Sequence, residues 1–373
     1  MNLRKKLFKH KRPYDLARSD DAFVNAAREN AIFHIKNNEK YAKICEIDGF
    51  SPDDIKSIDD IYRIPPIPTL YYKRNEIFTM PDSRFQVHTT SSGTSGKRSQ
   101  IRFDFGALLN DVRMVLHVAS HHKLLSPIPV NYIILGYKAT KKNQMATAKT
   151  ALLSTFYAPA LSRKYAIKEK EDGFEVDFDG IIRALSRCAR SHFPTRFMAF
   201  PAYTLFMLKE MQKMGLKLKL RKGSKFLLGG GWKQFISESV DKQELYDLIE
   251  EYLGIEEKDC VELFGAVEHP VLYCDCKNHH FHVPVYSRVL ARDVKTLTPL
   301  GFGEVGIANF ITPMMKSMPL ISIMTDDLCV IRDGKNCGCG VESPYFEILG
   351  RVGVADIKTC AAGAGEIMKG AVL

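Results

Sequence analysis

Four short apolar runs restrict what this chain can fold into. VNYIILGY (130–137), RFMAF (196–200), KFLL (225–228) and VELF (261–264) each have the length of a strand. The first is apolar almost throughout, as in a sheet buried on both faces. Helical stretches lie between them. After Pro201, Leu205, Leu208 and Met211 share one side of a helix. Asp241-x-x-Glu244 forms a capping box ahead of a stripe of Leu245, Leu248, Ile249 and Tyr252, and Gly254 is placed to end that helix. Strands alternating with helices predict an α/β fold with largely parallel sheets.

Upstream, Phe23, Ala27, Ala31 and Ile35 recur every four positions behind Ser19, which predicts a helix over 19–37. A second helix is expected around 106–120. IYRIPPIP (61–68) holds three prolines and reads as an extended connection. After about residue 280 helical periodicity fades, and GEVGIANFIT, DDLCVI and PYFEIL remain as short strands. We therefore expect an α/β core over 1–280, a smaller β-rich subdomain over 281–350 and a tail over 351–373.

The chain has 373 residues, 45% of them apolar and 26% charged, enough for a sizeable core. Its formal charge of +10 suits acidic partners such as nucleotides and carboxylates. Much of the excess sits in MNLRKKLFKHKR and in pairs such as Lys141–Lys142, which reads as a solvated surface and not as a nucleic-acid site. The basic N-terminus lacks the apolar run of a signal peptide. No stretch approaches the roughly 18 consecutive apolar residues of a membrane span. A cytoplasmic protein is expected.

HTTSSGTSGKRSQ (88–100) is the first candidate site. It is not a Walker A loop, because only two residues separate Gly93 from Gly96 and Arg98 follows Lys97. Glycines can still turn backbone N–H groups inward, while Ser91, Ser92, Thr94 and Ser95 add hydroxyls and Lys97 adds charge. By its spacing the stretch fits a phosphate nest and a surface loop alike.

Four further stretches follow in order: GGGWK (229–233), VELFGAVEHP (261–270), TDDL (325–328) and GRVGVADIK (350–358). Singly each has a plain alternative, with Phe264 as core, Glu268 as a solvated acid and Asp327 as a turn residue. As an ordered series they resemble the adenylate-forming superfamily, which converts carboxylic acids into acyl adenylates. Within it the chain is most similar to the LuxE-like acyl-protein synthetases, relatives of phenylacetate–CoA ligases.

The resemblance implies a large α/β N-terminal domain with a smaller β-rich subdomain. It implies phosphate contacts from Ser91, Ser92, Gly93, Thr94, Ser95, Gly96 and Lys97. Gly230 and Gly231 would line the adenine site, with Phe264 stacked on the base and Gly265 beside it. Glu268 would bind Mg²⁺, and Asp327 would hold the ribose hydroxyls with Arg351 nearby. ATP and a carboxylic acid, expected to be a fatty acid, would give an acyl-AMP and pyrophosphate. Mg²⁺, Lys97 and backbone donors would stabilise the charge on the transferred phosphoryl group.

Two departures from the superfamily pattern stand out. Phe264 replaces the frequent tyrosine, which keeps stacking and loses a hydroxyl. The chain ends at Leu373, soon after Arg351, so the mobile C-terminal domain with its adenylation lysine is expected to be absent. Lys358 is a candidate for that role. In LuxE-like enzymes a cysteine near the C-terminus accepts the acyl group as a thioester, and Cys360 occupies that place. Gly363 and Gly365 would let the tail swing, and a protein partner would then receive the acyl group.

The chain has nine cysteines, an odd number that argues against a complete disulfide framework. Cys45, Cys188, Cys260, Cys329 and Cys360 stand singly. Cys274-x-Cys276 and Cys337-x-Cys339 could together form a four-thiolate structural Zn²⁺ site, with His279, His280 and His282 as substitute ligands. Buried reduced thiols are the alternative. His117 and His121, four apart on a helix, read as a solvated face. Two rival functions remain open at this point: an acyl- or aryl-CoA ligase that does not need Cys360, and an inactive zinc-stapled binding module.

Overall fold

The computed structural model describes residues 3–90, 99–140, 146–170, 173–231 and 239–351. The chain forms two compact units, one of residues 1–121 with 265–373 and one of residues 122–264.

The first unit opens with helices α1 (Leu3–Phe8), α2 (Asp20–Asn37) and α3 (Glu39–Ile47). The expected helix over 19–37 is α2, but the Ser19 hydroxyl donates to Leu16 O (2.9 Å) and does not cap it. The segment expected to be extended is mixed: a 3₁₀ turn covers Ile58–Arg63 before strand β1 (Ile67–Pro68). Helix α4 (Thr69–Arg74) follows, then strands β2 (Phe85–Thr90) and β3 (Gln100–Asp104), which form an antiparallel pair with Thr90 opposite Gln100. Helix α5 (Phe105–His121) starts at Asp104, whose carboxylate accepts from Ala107 N (3.0 Å), Lys316 N (3.1 Å) and Ser317 N (3.2 Å).

The second unit holds β4 (Val130–Tyr137), α6 (Ala146–Ser154), β5 (Ala160–Lys170), β6 (Gly173–Val176), α7 (Phe178–Ala189) and β7 (Thr195–Ala199). It continues with α8 (Pro201–Lys213), β8 (Lys225–Gly229), α9 (Lys242–Leu253) and β9 (Cys260–Ala266). The strands lie in the order β9-β8-β7-β4-β5-β6, parallel except for the β5–β6 pair. All four apolar runs are strands of this sheet. Phe197 and Phe226 stack between neighbouring strands at 4.3 Å, under Leu205 and Leu208 of α8 and Ile249 of α9. Burying each such side chain contributes about 1.5–3 kcal/mol. Asp241 caps α9 by accepting from Gln243 N (2.8 Å), and Gly254 ends it in the left-handed region (φ 67°), where a Cβ would be strained.

The remainder of the first unit is β-rich: β10 (His269–Cys274), β11 (Phe281–His282), β12 (Arg288–Arg292), β13 (Val305–Ile311), β14 (Ser322–Arg332) and β15 (Tyr345–Arg351). Strands β11-β15-β14-β13-β12 make an antiparallel sheet, and β1 adds to β14 in parallel with Ile67 opposite Ile323. The loop after β13 is pinned to α2, where Asn30 Nδ2 donates to Met315 O (2.7 Å) and His34 Nε2 lies 3.1 Å from the same oxygen.

Candidate active site and metal centre

In the second unit, two predicted site elements meet at the C-terminal edge of the parallel strands, where open α/β sheets bind ligands. Gly229 is opposite Leu263 in the β8–β9 register, one residue before Phe264. A Cβ on Gly229 would stand 3.3 Å from Leu263 O. Gly230 and Gly231 are both left-handed (φ 82° and 60°), so the chain turns off the sheet with its backbone bare. Glu262, in the same motif as Glu268, serves the fold: it accepts from Tyr246 OH (3.0 Å) and pairs with Lys242 (3.0 Å).

In the first unit, Glu268 is buried at 5% exposure and Gly265 is exposed. The fully buried Ser99 donates its hydroxyl to Glu268 Oε1, and among the described residues it is the one donor to that carboxylate. The next residue, His269, is locked in a buried triangle with Tyr273 OH (2.9 Å) and Ser287 Oγ (3.2 Å), which are themselves 2.6 Å apart. Burial holds the His269 imidazolium pKa down to about 3, so the ring is neutral. Glu268 therefore projects from a rigid base. Ser99 was not singled out in the sequence; the hydroxyl directly after Lys97-Arg98 was the available signal.

Asp327 and Arg351 are register partners across β14 and β15. Asp327 is half-buried, its backbone N–H donating to Thr325 Oγ1 (3.3 Å). A register shift between Leu328 and Cys329 follows at once, the kind of bulge that re-aims a side chain. The strand pairing thus brings the two predicted ribose-site positions together.

The candidate metal cluster differs from the four-thiolate expectation in one residue. Cys276, His282, Cys337 and Cys339 bring their donor atoms within 4.8 Å of one another. Cys274 is not among them. It is the last residue of β10 and fully buried, whereas the chain turns at Cys276, where Cys276 N donates to His280 O (3.0 Å) and Asp275 bridges Phe281. That turn returns His282 to the cluster in place of the fourth thiol. Cys276 and Cys337 sulfurs are 3.6 Å apart, and His282 Nε2 is 3.2 Å from Cys339 Sγ.

The surrounding groups suit metal ligation. His282 Nδ1 donates to Ser343 O (2.6 Å), which leaves Nε2 free of a proton and turned to the thiols. Asn278 N and Val341 N donate to the sulfurs of Cys276 (3.4 Å) and Cys339 (3.3 Å). Gly338 and Gly340, both left-handed (φ 72° and 97°), shape the turn around Cys339. His280, stacked on Tyr345, places Nδ1 3.2 Å from Cys337 Sγ, while His279 pairs with Asp275 (2.6 Å).

His117 and His121 do not form a bare solvated face. Tyr286 OH donates to His10 O (2.5 Å), so His117 Nδ1 donates to Tyr286 OH (2.8 Å), and His121 meets Tyr14 edge-on at 4.8 Å. The predicted phosphate stretch from Ser91 to Lys97, together with Lys358 and Cys360, lies outside the described residues.

Comparison with solved structures defines the fold. The fold is that of adenylate-forming ligases: 2-hydroxyisobutyryl-CoA ligase, solved with 2-HIB-AMP and CoA, aligns over 92% of this chain and 77% of its own with a TM-score of 0.69 at 16% identity. A second structure of that enzyme, in the postadenylation state, gives a TM-score of 0.67 over 92% and 70%. The LuxE acyl-protein synthetase profile matches residues 6–368, and the chain belongs to that family. Two curated relatives carry the name long-chain-fatty-acid–luciferin-component ligase. The one from Vibrio harveyi is 25% identical over 90% of this chain and 85% of its own length; the one from Aliivibrio fischeri is 23% identical over 92% and 87%. The chain is thus a member of an acyl-protein synthetase family with the fold of adenylate-forming ligases. Among the described residues no helix is long and apolar enough to cross a membrane.

Proposed function

We propose that this chain activates a long-chain fatty acid with ATP and carries the acyl group on Cys360 before a protein partner receives it. In the first step a carboxylate oxygen attacks the α-phosphorus of ATP; a C–O–P bond forms, the bond to the β-phosphate breaks, and pyrophosphate leaves. In the second, the Cys360 thiol gives its proton to solvent and the thiolate attacks the acyl carbon; a C–S bond forms, the C–O bond to the phosphate breaks, and AMP leaves. The observation that carries the reading is Glu268, a buried carboxylate held by Ser99 at the start of β10, within the span that the family model matches.

Glu268 fits a magnesium ligand, because its carboxylate is buried and accepts from one hydroxyl among the described residues. Mg²⁺ bound there would neutralise phosphate charge and polarise the phosphoryl oxygens. Lys97 and backbone donors of the 91–97 stretch would hold the phosphates. Phe264 would stack on adenine over the bare turn at Gly230 and Gly231, and Asp327 with Arg351 would hold the ribose. Cys276, Cys337, Cys339 and His282 fit Zn²⁺, since three thiolates and an imidazole fill a tetrahedral shell and leave it structural. Pyrophosphate release with ATP, Mg²⁺ and acids of graded chain length tests the activation step. Release that rises with acyl length is expected, and a preference for short hydroxy acids would overturn the substrate class.

A further inference from the structure

The opposite edge of the second unit's sheet has a character the reaction does not require. The register places Val130 beside Ala160, Asn131 beside Thr195 and Arg196 beside Lys225, so the segments preceding β4, β5, β7 and β8 end at one edge. Ser126 N donates to Tyr157 O (2.9 Å) and ties the first two together. Bare apolar side chains stand on three of these segments. Phe156 is 69% exposed and Ile128 55%, Leu125 and Phe193 are also exposed, and Leu161 adds another at the start of β5. A soluble surface gains nothing from this clustering.

Exposed cations stand among them. Lys123, Arg190, Arg221 and Lys222 are exposed, and none forms an ion pair among the described residues. Four of the acids near this edge are already paired: Glu210 with Lys213, Glu251 with Lys217, Glu256 with Lys258 and Asp259 with Lys225. Of the cations between Asp111 and Glu169, Lys123 precedes β4 and Arg163 and Lys164 stand near the start of β5. Lys123, Arg190, Arg221 and Lys222 give this edge its cationic character.

We infer that this edge seats the protein on the surface of an anionic lipid bilayer. Separate apolar side chains from several loops enter the headgroup layer, and the unpaired cations meet anionic headgroups. Such a surface asks for charge and scattered apolar tips and needs no matching groove. The opposite edge, with Gly229 and Phe264, is then turned away from the bilayer. The inference stands apart from the reading of the reaction.

The test is co-sedimentation of the full chain with phosphatidylcholine vesicles, with and without phosphatidylglycerol, at low and high salt. Binding to the phosphatidylglycerol vesicles is expected, lost at high salt and absent with phosphatidylcholine alone. Arg221→Glu with Lys222→Glu should weaken it about tenfold or more. Ile128→Ser with Phe156→Ser should weaken it at moderate salt, and both variants should keep wild-type circular dichroism. Failure to bind either vesicle overturns the inference. So does binding that neither variant changes, and so does capture by polyglutamate without capture by vesicles, which would point to an acidic protein instead.

Discussion

Ser99 donates its hydroxyl to the carboxylate of Glu268, and both side chains are buried. The bond joins the residue that follows the phosphate stretch to the proposed magnesium ligand, 169 positions away. Removing the donor leaves a buried charge without its hydrogen bond, a loss of about 1.5–3 kcal/mol. Ser99→Ala should therefore lower acid-dependent pyrophosphate release about ten- to hundredfold and raise the Mg²⁺ concentration needed for half-maximal rate. Ser99→Thr, which keeps the hydroxyl, should restore most of both. An unchanged Mg²⁺ dependence in Ser99→Ala would separate Ser99 from the metal ligand.

The two members of Cys274-x-Cys276 should behave differently. Cys337→Ser or Cys276→Ser should lose bound zinc by elemental analysis, because each removes a donor from the cluster. Cys274→Ser should keep it. Zinc loss in Cys274→Ser with a retained fold would restore the four-thiolate arrangement.

Gly334 reaches the same centre through the backbone. A Cβ there would lie 2.0 Å from Ser343 O, the oxygen that accepts from His282 Nδ1. Gly334→Ala must push that carbonyl away and with it the imidazole. Zinc affinity, measured by competition with a chelator, should fall about 10–100-fold.

Two buried histidines set an acid limit on stability. Burial lowers the His34 pKa to about 3, where Nδ1 accepts from Thr79 Oγ1 (2.7 Å) and Nε2–H donates to Met315 O (3.1 Å). Burial lowers His269 to about 3 as well. Both are neutral when folded and ionise near 6.5 when unfolded, so their contribution is full above about pH 6.5. It is lost as pH falls from there toward 3, at about 1.4 kcal/mol per pH unit for each group. Urea midpoints should drop between pH 7 and 5, and less steeply in His34→Gln. Equal slopes in the two proteins would show that His34 is protonated in the folded state.

What the sequence showed depended on how local the cause was. The strands of VNYIILGY and KFLL were legible because burial on both faces writes an unbroken apolar run. Strand β5 was not, because ALSRKYAIKEK mixes exposed Arg163 and Lys164 with buried Ala166 and Ile167. The pair β2–β3 was hidden for the same reason, as FQVHTT alternates across a half-exposed sheet. Gly254 as the helix stop and Asp241 as the N-cap were legible because caps act within a few residues. Asp241 accepts from Gln243 N, however, and the expected capping box with Glu244 is not among the bonds of the described residues. The Ser99–Glu268 bond and the choice of His282 over Cys274 depend on turns and pairings between distant segments, which spacing alone cannot encode.

The central claim is that Cys360 carries the acyl group, and intact-protein mass spectrometry tests it most directly. Wild type and Cys360→Ala are incubated with ATP, Mg²⁺ and a long-chain fatty acid, then treated or not with hydroxylamine. The account predicts an acyl adduct on the wild type that hydroxylamine removes and that Cys360→Ala never acquires. Pyrophosphate release by both proteins, no adduct on either and an acyl-CoA product once CoA is added would contradict it.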